Sequence, residues 1–274
     1  MPEGDTLFRM AATLQRAIGG RVVTRFETVL PKLARVDVDT PIAGRIVERV
    51  ESNGKWLLMR FSGGLTLLTH MLMSGQWHIY RPGERWYRGR QHMRIVIETE
   101  RMIAVAFNVP VAEFHTDETL ARRPVYSRLG PDLLAGEFDS DAAMANIRSQ
   151  GSTEIAPALL RQSVLAGIGN EFKSEVLFEA EIDPFRPAGS LTVEELRRLI
   201  EVARRQLRDN VLQHSPRRRT TRRVERSENL WVYNRSGQPC RKCGESIECR
   251  LQGPNARVSF WCPECQRQAL GIRE

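Results

Sequence analysis

The chain has 274 residues, of which 41% are hydrophobic and 27% are charged, and its 41 Lys and Arg against 33 Asp and Glu give a formal net charge of +8. This composition is typical of a globular protein, and the length allows two or three domains. No apolar run approaches the roughly 20 residues of a membrane-spanning helix. The amino terminus also lacks the pattern of a secretory signal, so we expect a cytoplasmic protein that does not contact a membrane.

The opening residues, MPEGDT, place a proline and a glutamate directly after the first methionine. If Met1 is removed, Pro2 exposes a secondary amine next to the carboxylate of Glu3, which suits nucleophilic catalysis. Apolar residues recur at helical spacing from Leu7 to Ile18 and two glycines follow, which predicts an amphipathic helix behind these two residues. A frayed terminus without chemical function is the alternative interpretation.

Short segments rich in β-branched and aromatic residues, separated by turn residues, occupy positions 21–113. Their spacing predicts a β-sandwich or a barrel. Lys55 follows the turn dipeptide Asn53-Gly54 and begins a predicted strand. A lysine at the edge of a strand usually has no specific function, so this position alone does not identify a site.

The pattern becomes helical after the Pro- and Gly-containing stretch 122–134. Residues 154–180 predict a helix, a short glycine-containing turn and a second helix, with Asn170 as the N-cap of the second helix. The N–H groups at that helix start would suit a phosphate, whereas a plain helical hairpin is the alternative. A longer amphipathic helix is predicted over 191–212.

The positive charge is concentrated between positions 201 and 235, which contain ten Arg against four Asp or Glu. The densest part is SPRRRTTRRVER at 215–226. This run predicts either a phosphate-binding surface, whose affinity would fall steeply with salt, or a solvated basic segment.

Four of the five cysteines form two C-x-x-C pairs with 18 residues between the pairs. Thiolates at this spacing suit a tetrahedral Zn²⁺, so we predict one structural zinc ion, with a redox role for either pair as the alternative. The segments between the pairs predict a β-hairpin with Arg257 just past its tip, and a surface arginine without a role is the alternative there. Cys249 lies outside the pattern. The predicted ligands are Cys240, Cys243, Cys262 and Cys265.

Three separated features, the opening PEG, the segment GIGNEFKSEVLF and the paired cysteines, make the chain resemble the formamidopyrimidine-DNA glycosylase and endonuclease VIII family of base-excision repair enzymes. The stretch FNVPVAEF replaces the Pro-Arg-Arg-Phe wedge of some members, which favours the endonuclease VIII branch. The resemblance implies an α+β multidomain fold. Its expected parts are an N-terminal helix with a β-sandwich (1–121), a helix-two-turn-helix domain (122–235) and a zinc finger (236–274).

The resemblance also implies a bifunctional DNA glycosylase and AP lyase that acts on damaged double-stranded DNA. Oxidised pyrimidines are the expected lesions, and the expected reaction passes through a Schiff base and then β,δ-elimination. We expect a cytoplasmic monomer that associates with the nucleoid when it is bound to DNA. Two alternatives remain open: a formamidopyrimidine-type glycosylase for oxidised purines, and a non-catalytic zinc-ribbon DNA-binding protein.

Catalytic roles are carried over from the family to four positions. By resemblance, Pro2 is the Schiff-base nucleophile and Glu3 is the carboxylate that moves protons. Lys55 matches the lysine of β-elimination, and Arg257 matches the finger arginine of δ-elimination and phosphate binding. Thr6 stands where many members have a glutamate, so the contacts that orient the damaged base are not defined by the resemblance.

Further positions are matched to DNA contacts: His70, Leu72, Met73, Arg128 and Asn170. Leu72 and Met73 lie in a loop that is expected to fill the gap left by an everted base. Met73 is the first choice, because Leu72 replaces a polar residue of some relatives. Packing of both side chains in the core is the alternative.

Overall fold

The computed structural model describes residues 2–212, 221 and 229–267. The chain divides into two compact units, Met1–Arg128 and Leu129–Glu274. Met1 and, apart from Thr221, the arginine-rich run predicted at 215–226 lie outside the described residues. Within the described ranges, no helix is long and apolar enough to cross a membrane.

The first unit starts with helix α1 (Gly4–Ile18) and then forms two antiparallel sheets. Their strands in chain order are β1 (Val23–Thr28), β2 (Val47–Asn53), β3 (Trp56–Phe61), β4 (Leu65–His70), β5 (Gln76–Tyr80), β6 (Met93–Thr99), β7 (Ile103–Phe107) and β8 (Val111–Thr116). One sheet has the strand order β1-β6-β7-β5, and the other has the order β2-β3-β4-β8.

The two sheets and α1 share one hydrophobic core, which confirms the predicted sandwich. Leu7, Leu14 and Ile18 lie on one face of α1 because residues three, four and seven apart meet on the same side of a helix, and none is more than 1% exposed. From the second sheet, Leu57 and Met59 point into the same core, two residues apart as the pleat requires.

Helical segments interrupt and end this strand-rich region. Helix α2 (Pro31–Asp39) was not predicted, and it begins with a proline, which is favourable in the first turn because its missing N–H would have no partner there. Two short helices, α3 (Asp117–Ala121) and α4 (Pro124–Ser127), close the first unit.

The second unit is mainly helical and ends in a β-hairpin. Its helices are α5 (Ser140–Arg148), α6 (Ile155–Leu159), α7 (Asn170–Glu179) and α8 (Val193–Leu212), and its strands are β9 (Glu248–Gln252) and β10 (Arg257–Trp261). The predicted long helix over 191–212 is confirmed by α8. The predicted N-cap is wrong by one residue, because Gly169 occupies the N-cap position of α7 and the Asn170 side chain bonds to Val258 and Lys173 instead.

Helix α7 is buried from Phe172 to Phe178, charged side chains included. Among these, Glu175 is completely buried, and its carboxylate accepts hydrogen bonds from the N–H groups of Trp231, Val232 and Tyr233 at 2.7–2.8 Å. The hydroxyl of Thr221 donates to the same carboxylate. Burial raises the pKa of Glu175 above its ordinary value, while these four hydrogen bonds act in the opposite direction. This carboxylate therefore attaches the segment that precedes the cysteine pairs to α7.

Candidate DNA-processing site and metal centre

The amino-terminal residues lie at the start of α1. Pro2 is half-buried, and Glu3 is only 1% exposed and occupies the N-cap position. The carbonyl oxygen of Glu3 accepts hydrogen bonds from the N–H groups of Thr6 and Leu7 at 3.0 and 3.1 Å. The carboxylate of Asp5, in the first turn, is fully buried and accepts from Arg9 at 3.4 Å. The residues directly after Pro2 are therefore fixed by α1 and do not form a frayed end.

Lys55 lies in the two-residue turn between β2 and β3. Asn53 pairs with Trp56 across this turn, and Gly54 adopts a φ of +58°, a left-handed conformation that glycine adopts without a steric penalty. A lysine at a hairpin tip normally extends into water, but Lys55 is only 8% exposed. A buried lysine loses hydration, so this position is unlike that of a lysine that only improves solubility.

His70 ends β4 next to the Lys55 turn. It pairs with Trp56 across the sheet, and the two rings meet edge to face with their centroids 4.8 Å apart. Burial lowers the pKa of His70, and the charge of Lys55 lowers it further. The Nδ1 atom of His70 accepts a hydrogen bond from the N–H of Leu72 at 3.1 Å. In the neutral ring this contact assigns the proton to Nε2.

The loop after His70 presents two large apolar side chains to solvent. Leu72 is 46% exposed and Met73 is 67% exposed, so the interpretation of both as core residues is wrong. Leu72 has a φ of +43°, which a branched side chain adopts at a cost of about 1–3 kcal/mol. The loop is closed by a 2.8 Å hydrogen bond from the N–H of Gly75 to the carbonyl of Met71. The hydroxyl of Ser74 donates to the carbonyl of Asn108 at 3.4 Å, in the stretch FNVPVAEF.

In the second unit, the start of α7 is bonded to the strand that carries Arg257. The Nδ2 of Asn170 donates to the carbonyl of Val258 at 3.0 Å. Lys173 is 1% exposed, and its Nζ donates to the same carbonyl at 2.9 Å and to the Oδ1 of Asn170 at 2.8 Å. Arg257 is the first residue of β10 and is exposed beside the hairpin turn, where the sequence predicts it.

The four paired cysteines form one cluster, with all sulfur atoms within 4.8 Å of one another. Cys240 and Cys265 have their sulfurs 3.8 Å apart, and Cys243 and Cys262 have theirs 3.5 Å apart. A tetrahedral zinc ion with Zn–S bonds of about 2.3 Å places its sulfurs about 3.8 Å apart, so this cluster has the dimensions of a four-thiolate metal site. Burial raises the pKa of Cys262 to about 11.

The predicted site residues are distributed over both units. The first unit brings Lys55 next to His70, which is bonded to Leu72 in the following loop, and the second brings Asn170 next to the strand of Arg257. Arg128 is exposed at the end of α4 and is the last residue of the first unit.

Family models match most of the chain. Residues 1–110 match the formamidopyrimidine-DNA glycosylase N-terminal domain, and residues 129–220 match the formamidopyrimidine-DNA glycosylase H2TH domain. The chain belongs to the formamidopyrimidine-DNA glycosylase and endonuclease VIII family. Within the family it is endonuclease VIII-like, as the following relatives indicate.

Three curated relatives are similar over almost their whole length. The chain is 39% identical over 269 residues to the probable endonuclease 8 2 of Streptomyces coelicolor, covering 97% of this chain and 94% of that protein. It is 38% identical to the endonuclease 8 2 of Mycobacterium bovis, covering 97% and 100%. It is 35% identical to the DNA-(apurinic or apyrimidinic site) lyase Nei2 of Mycolicibacterium smegmatis, covering 97% and 99%.

Solved structures of the family share the fold. A complex of Lactococcus lactis Fpg with DNA containing an abasic site superimposes with a TM-score of 0.82 at 20% identity, covering 97% of this chain and 100% of that one. A complex of MutM with DNA containing carbocyclic 8-oxo-G gives the same TM-score at 21% identity and the same coverage. At these identities the likeness establishes the fold.

Lys173, Ser174 and Glu175 were missed by the sequence analysis, although each bonds α7 to a neighbouring segment. The sequence carried no signal for them, because the burial of α7 on every side, Lys173 and Glu175 included, is visible only in the structure. A charged side chain with no exposed face available must have polar partners.

The proximity of Lys55 to His70 gives a first prediction. Replacing Lys55 with methionine removes a positive charge that opposes protonation of His70, so the pKa of His70 should rise, while burial should keep it below the ordinary value. The imidazole titration followed by NMR measures this shift. His78 is the internal control, because burial and then the charge of Arg88 lower its pKa. An unchanged or lowered His70 pKa would contradict the proximity.

Proposed function

We propose that this chain is a bifunctional DNA glycosylase and AP lyase of base excision repair. Membership of the family and the names of the relatives as endonucleases 8 and an AP lyase support this activity. The observation that carries it is the position of Pro2, directly before the buried Glu3 at the start of α1. The secondary amine of Pro2 is a suitable nucleophile for C1′ of deoxyribose.

The proposed chemistry starts after removal of Met1, which lies outside the described residues. The Pro2 nitrogen bonds to C1′ of the damaged nucleotide and loses its proton, while the bond from C1′ to the base breaks and the departing base takes up a proton. The C1′–O4′ bond then breaks and O4′ is protonated, which opens the sugar ring. The adduct is an iminium whose nitrogen carries no proton, so it stays cationic at any pH and acidifies the C2′ proton. Loss of that proton, with cleavage of the C3′–O bond, releases the 3′-phosphate. Glu3 is the proposed proton carrier in these steps. Proton transfer by a positioned side chain typically accelerates a reaction roughly 10²–10⁴-fold.

Two cationic side chains are proposed to assist the eliminations. Lys55, held at the β2–β3 turn, is assigned to β-elimination, and Arg257, exposed at the start of β10, is assigned to δ-elimination and phosphate binding. Positive groups held in fixed positions stabilise the charge of a departing phosphate without reorganising during the reaction.

The remaining positions are proposed DNA contacts. His70, Arg128 and Asn170 are assigned to the backbone around the lesion. Everting a base costs a few kcal/mol and leaves a gap in the stack, which an apolar side chain can occupy. Leu72 and Met73 are both exposed on their loop, and Met73, the more exposed of the two, is the proposed filler.

The proposed substrate is damaged double-stranded DNA carrying oxidised pyrimidines. The absence of a Pro-Arg-Arg-Phe wedge in FNVPVAEF supports the pyrimidine branch. Oxidised purines are the alternative, and cleavage of matched duplexes bearing 5,6-dihydrouracil or 8-oxoguanine distinguishes the two. The proposed protein is a cytoplasmic monomer that associates with the nucleoid on DNA. Its proposed functional parts are 1–121, 122–235 and 236–274.

The proposed metal is one structural Zn²⁺, which the four clustered cysteines fit by number, type and distance. A hairpin of this size needs an attachment to the rest of its unit, which the ion would supply. Cys240 and Cys262, two of the proposed ligands, share a small apolar cluster with Phe178 of α7. Metal binding must displace the thiol protons of the cysteines, so the affinity for the ion should fall as the pH is lowered.

The nucleophile assignment predicts the outcome of changing Pro2 to glycine. The glycine amine forms an imine that is reactive only while protonated, so the rate of strand cleavage at an abasic site should fall about 100-fold or more. Affinity for the same duplex should stay close to that of the wild type. Single-turnover cleavage and a binding titration measure the two quantities. Unchanged cleavage by the variant would reject the mechanism and would favour another nucleophile.

The zinc assignment predicts different outcomes for two cysteine variants. Cys262→Ser should lose bound zinc and weaken DNA binding, because the hairpin carrying Arg257 loses its attachment. Cys249→Ser is the matched control, since Cys249 is exposed on β9 and lies outside the cluster, and it should retain one zinc per chain. Elemental analysis of the purified proteins measures the metal. Equal zinc contents in the two variants would contradict the assignment.

A further inference from the structure

Lys173 is not among the predicted site residues. This side chain is almost completely buried in α7, and its Nζ atom donates to two oxygens, the Oδ1 of Asn170 and the carbonyl of Val258. Burying a lysine is costly unless specific partners compensate for the lost hydration. Both of its named partners belong to elements that carry a proposed DNA contact: the start of α7 and the strand β10.

The hydrogen-bond partners of Asn170 determine the orientation of its side-chain amide. The Nζ group of Lys173 only donates hydrogen bonds in this contact and the Val258 carbonyl only accepts them, so the amide must turn Oδ1 towards Lys173 and Nδ2 towards Val258. In the reversed amide, Nδ2 would face the donor Nζ of Lys173, and Oδ1 would face the acceptor carbonyl of Val258. Lys173 therefore fixes the orientation of a side chain at the amino-terminal end of α7.

The strand that carries Arg257 is also bonded to α7. Val258 directly follows Arg257, and the N–H of Phe260 donates to the hydroxyl of Ser174 at 3.3 Å. Strand β9 pairs with β10, so β10 lies between β9 and side chains of α7. The backbone next to Arg257 is thus bonded to the same helix end that holds Asn170.

We propose that Lys173 is a positioning residue that holds the Asn170 amide and the backbone of Arg257 in one arrangement, so that both side chains meet the same DNA backbone. The inference rests on the proposed lyase function, in which Arg257 assists δ-elimination. Lys173 acts through Asn170 and Val258 and does not contact the substrate itself. Its loss should impair the later elimination far more than formation of the Schiff base, which takes place at Pro2.

Packing alone would give a different result. If Lys173 only filled space, methionine, which is unbranched and similar in length, would replace it without effect on the products. If its hydrogen bonds position Arg257, methionine would remove them, while arginine would restore a long side chain that only donates. The comparison of Lys173→Met with Lys173→Arg therefore separates the two roles.

The experiment uses the full-length protein with duplex DNA containing one abasic site. Borohydride trapping gives the rate of Schiff-base formation, and single-turnover cleavage gives the ratio of δ- to β-product. Zinc content and melting temperature report whether the second unit is intact. Lys32→Met is the control, because Lys32 is exposed on α2 and lies outside the proposed zinc and DNA contacts.

For Lys173→Met we expect a δ-to-β ratio about tenfold or more below that of the wild type, because small displacements of a charge-stabilising group have large kinetic effects. Trapping should stay within about twofold of the wild type, and the zinc content should be unchanged. Lys173→Arg should recover part of the ratio, and Lys32→Met should match the wild type. In an Arg257→Ala background, Lys173→Met should change the ratio no further, because both changes act on one group.

Three results would overturn the inference. One is a wild-type product ratio in Lys173→Met. Another is a parallel loss of trapping, zinc and both products in Lys173→Met and Lys173→Arg, which would indicate a structural role only. A third is an additive effect with Arg257→Ala. Failure of the wild-type protein to form a trapped adduct would instead reject the proposed function, and the role of Lys173 with it.

Discussion

Buried polar side chains of α7 hold the segments around the cysteine cluster in place. Glu175 binds three successive backbone N–H groups of the segment that enters the cluster, and Lys173 and Ser174 bind the backbone of β10. A two-stranded hairpin cannot bury enough apolar surface to be stable by itself. Its position relative to α7 therefore depends on these hydrogen bonds and on the small apolar cluster around Phe178. Leaving buried groups of this kind without partners costs about 1–3 kcal/mol each.

In the first unit, a turn fixes the position of a buried charged side chain. The two-residue turn between β2 and β3 holds Lys55, and the neighbouring strand β4 ends in His70, whose Nδ1 is bonded to the backbone of Leu72. The exposed Leu72–Met73 loop thus begins at a residue held by the sheet. In the free protein, these exposed apolar side chains gain little free energy from burial. On the proposed function, they gain it when they insert into the base stack of the DNA.

The sequence predicted the architecture well where a periodic pattern or fixed spacing carried the information. The amphipathic helix α1, the strand-rich region, α8 and the hairpin carrying Arg257 follow from period and turn residues. The cysteine cluster follows from two C-x-x-C pairs at a spacing typical of a four-thiolate zinc site. The burial of Lys55 and Lys173 was not predictable, since each depends on contacts between segments distant in the chain. The N-cap prediction for Asn170 failed for the same reason: local propensity was outweighed by a bond to Val258.

The proposed mechanism depends most on covalent chemistry at Pro2. The direct measurement is mass spectrometry of the peptides from the protein trapped by borohydride on abasic-site DNA. The account predicts that Met1 is absent and that the sugar remnant is attached to the nitrogen of Pro2. A remnant attached to Lys55, or a fully active protein that retains Met1, would contradict it.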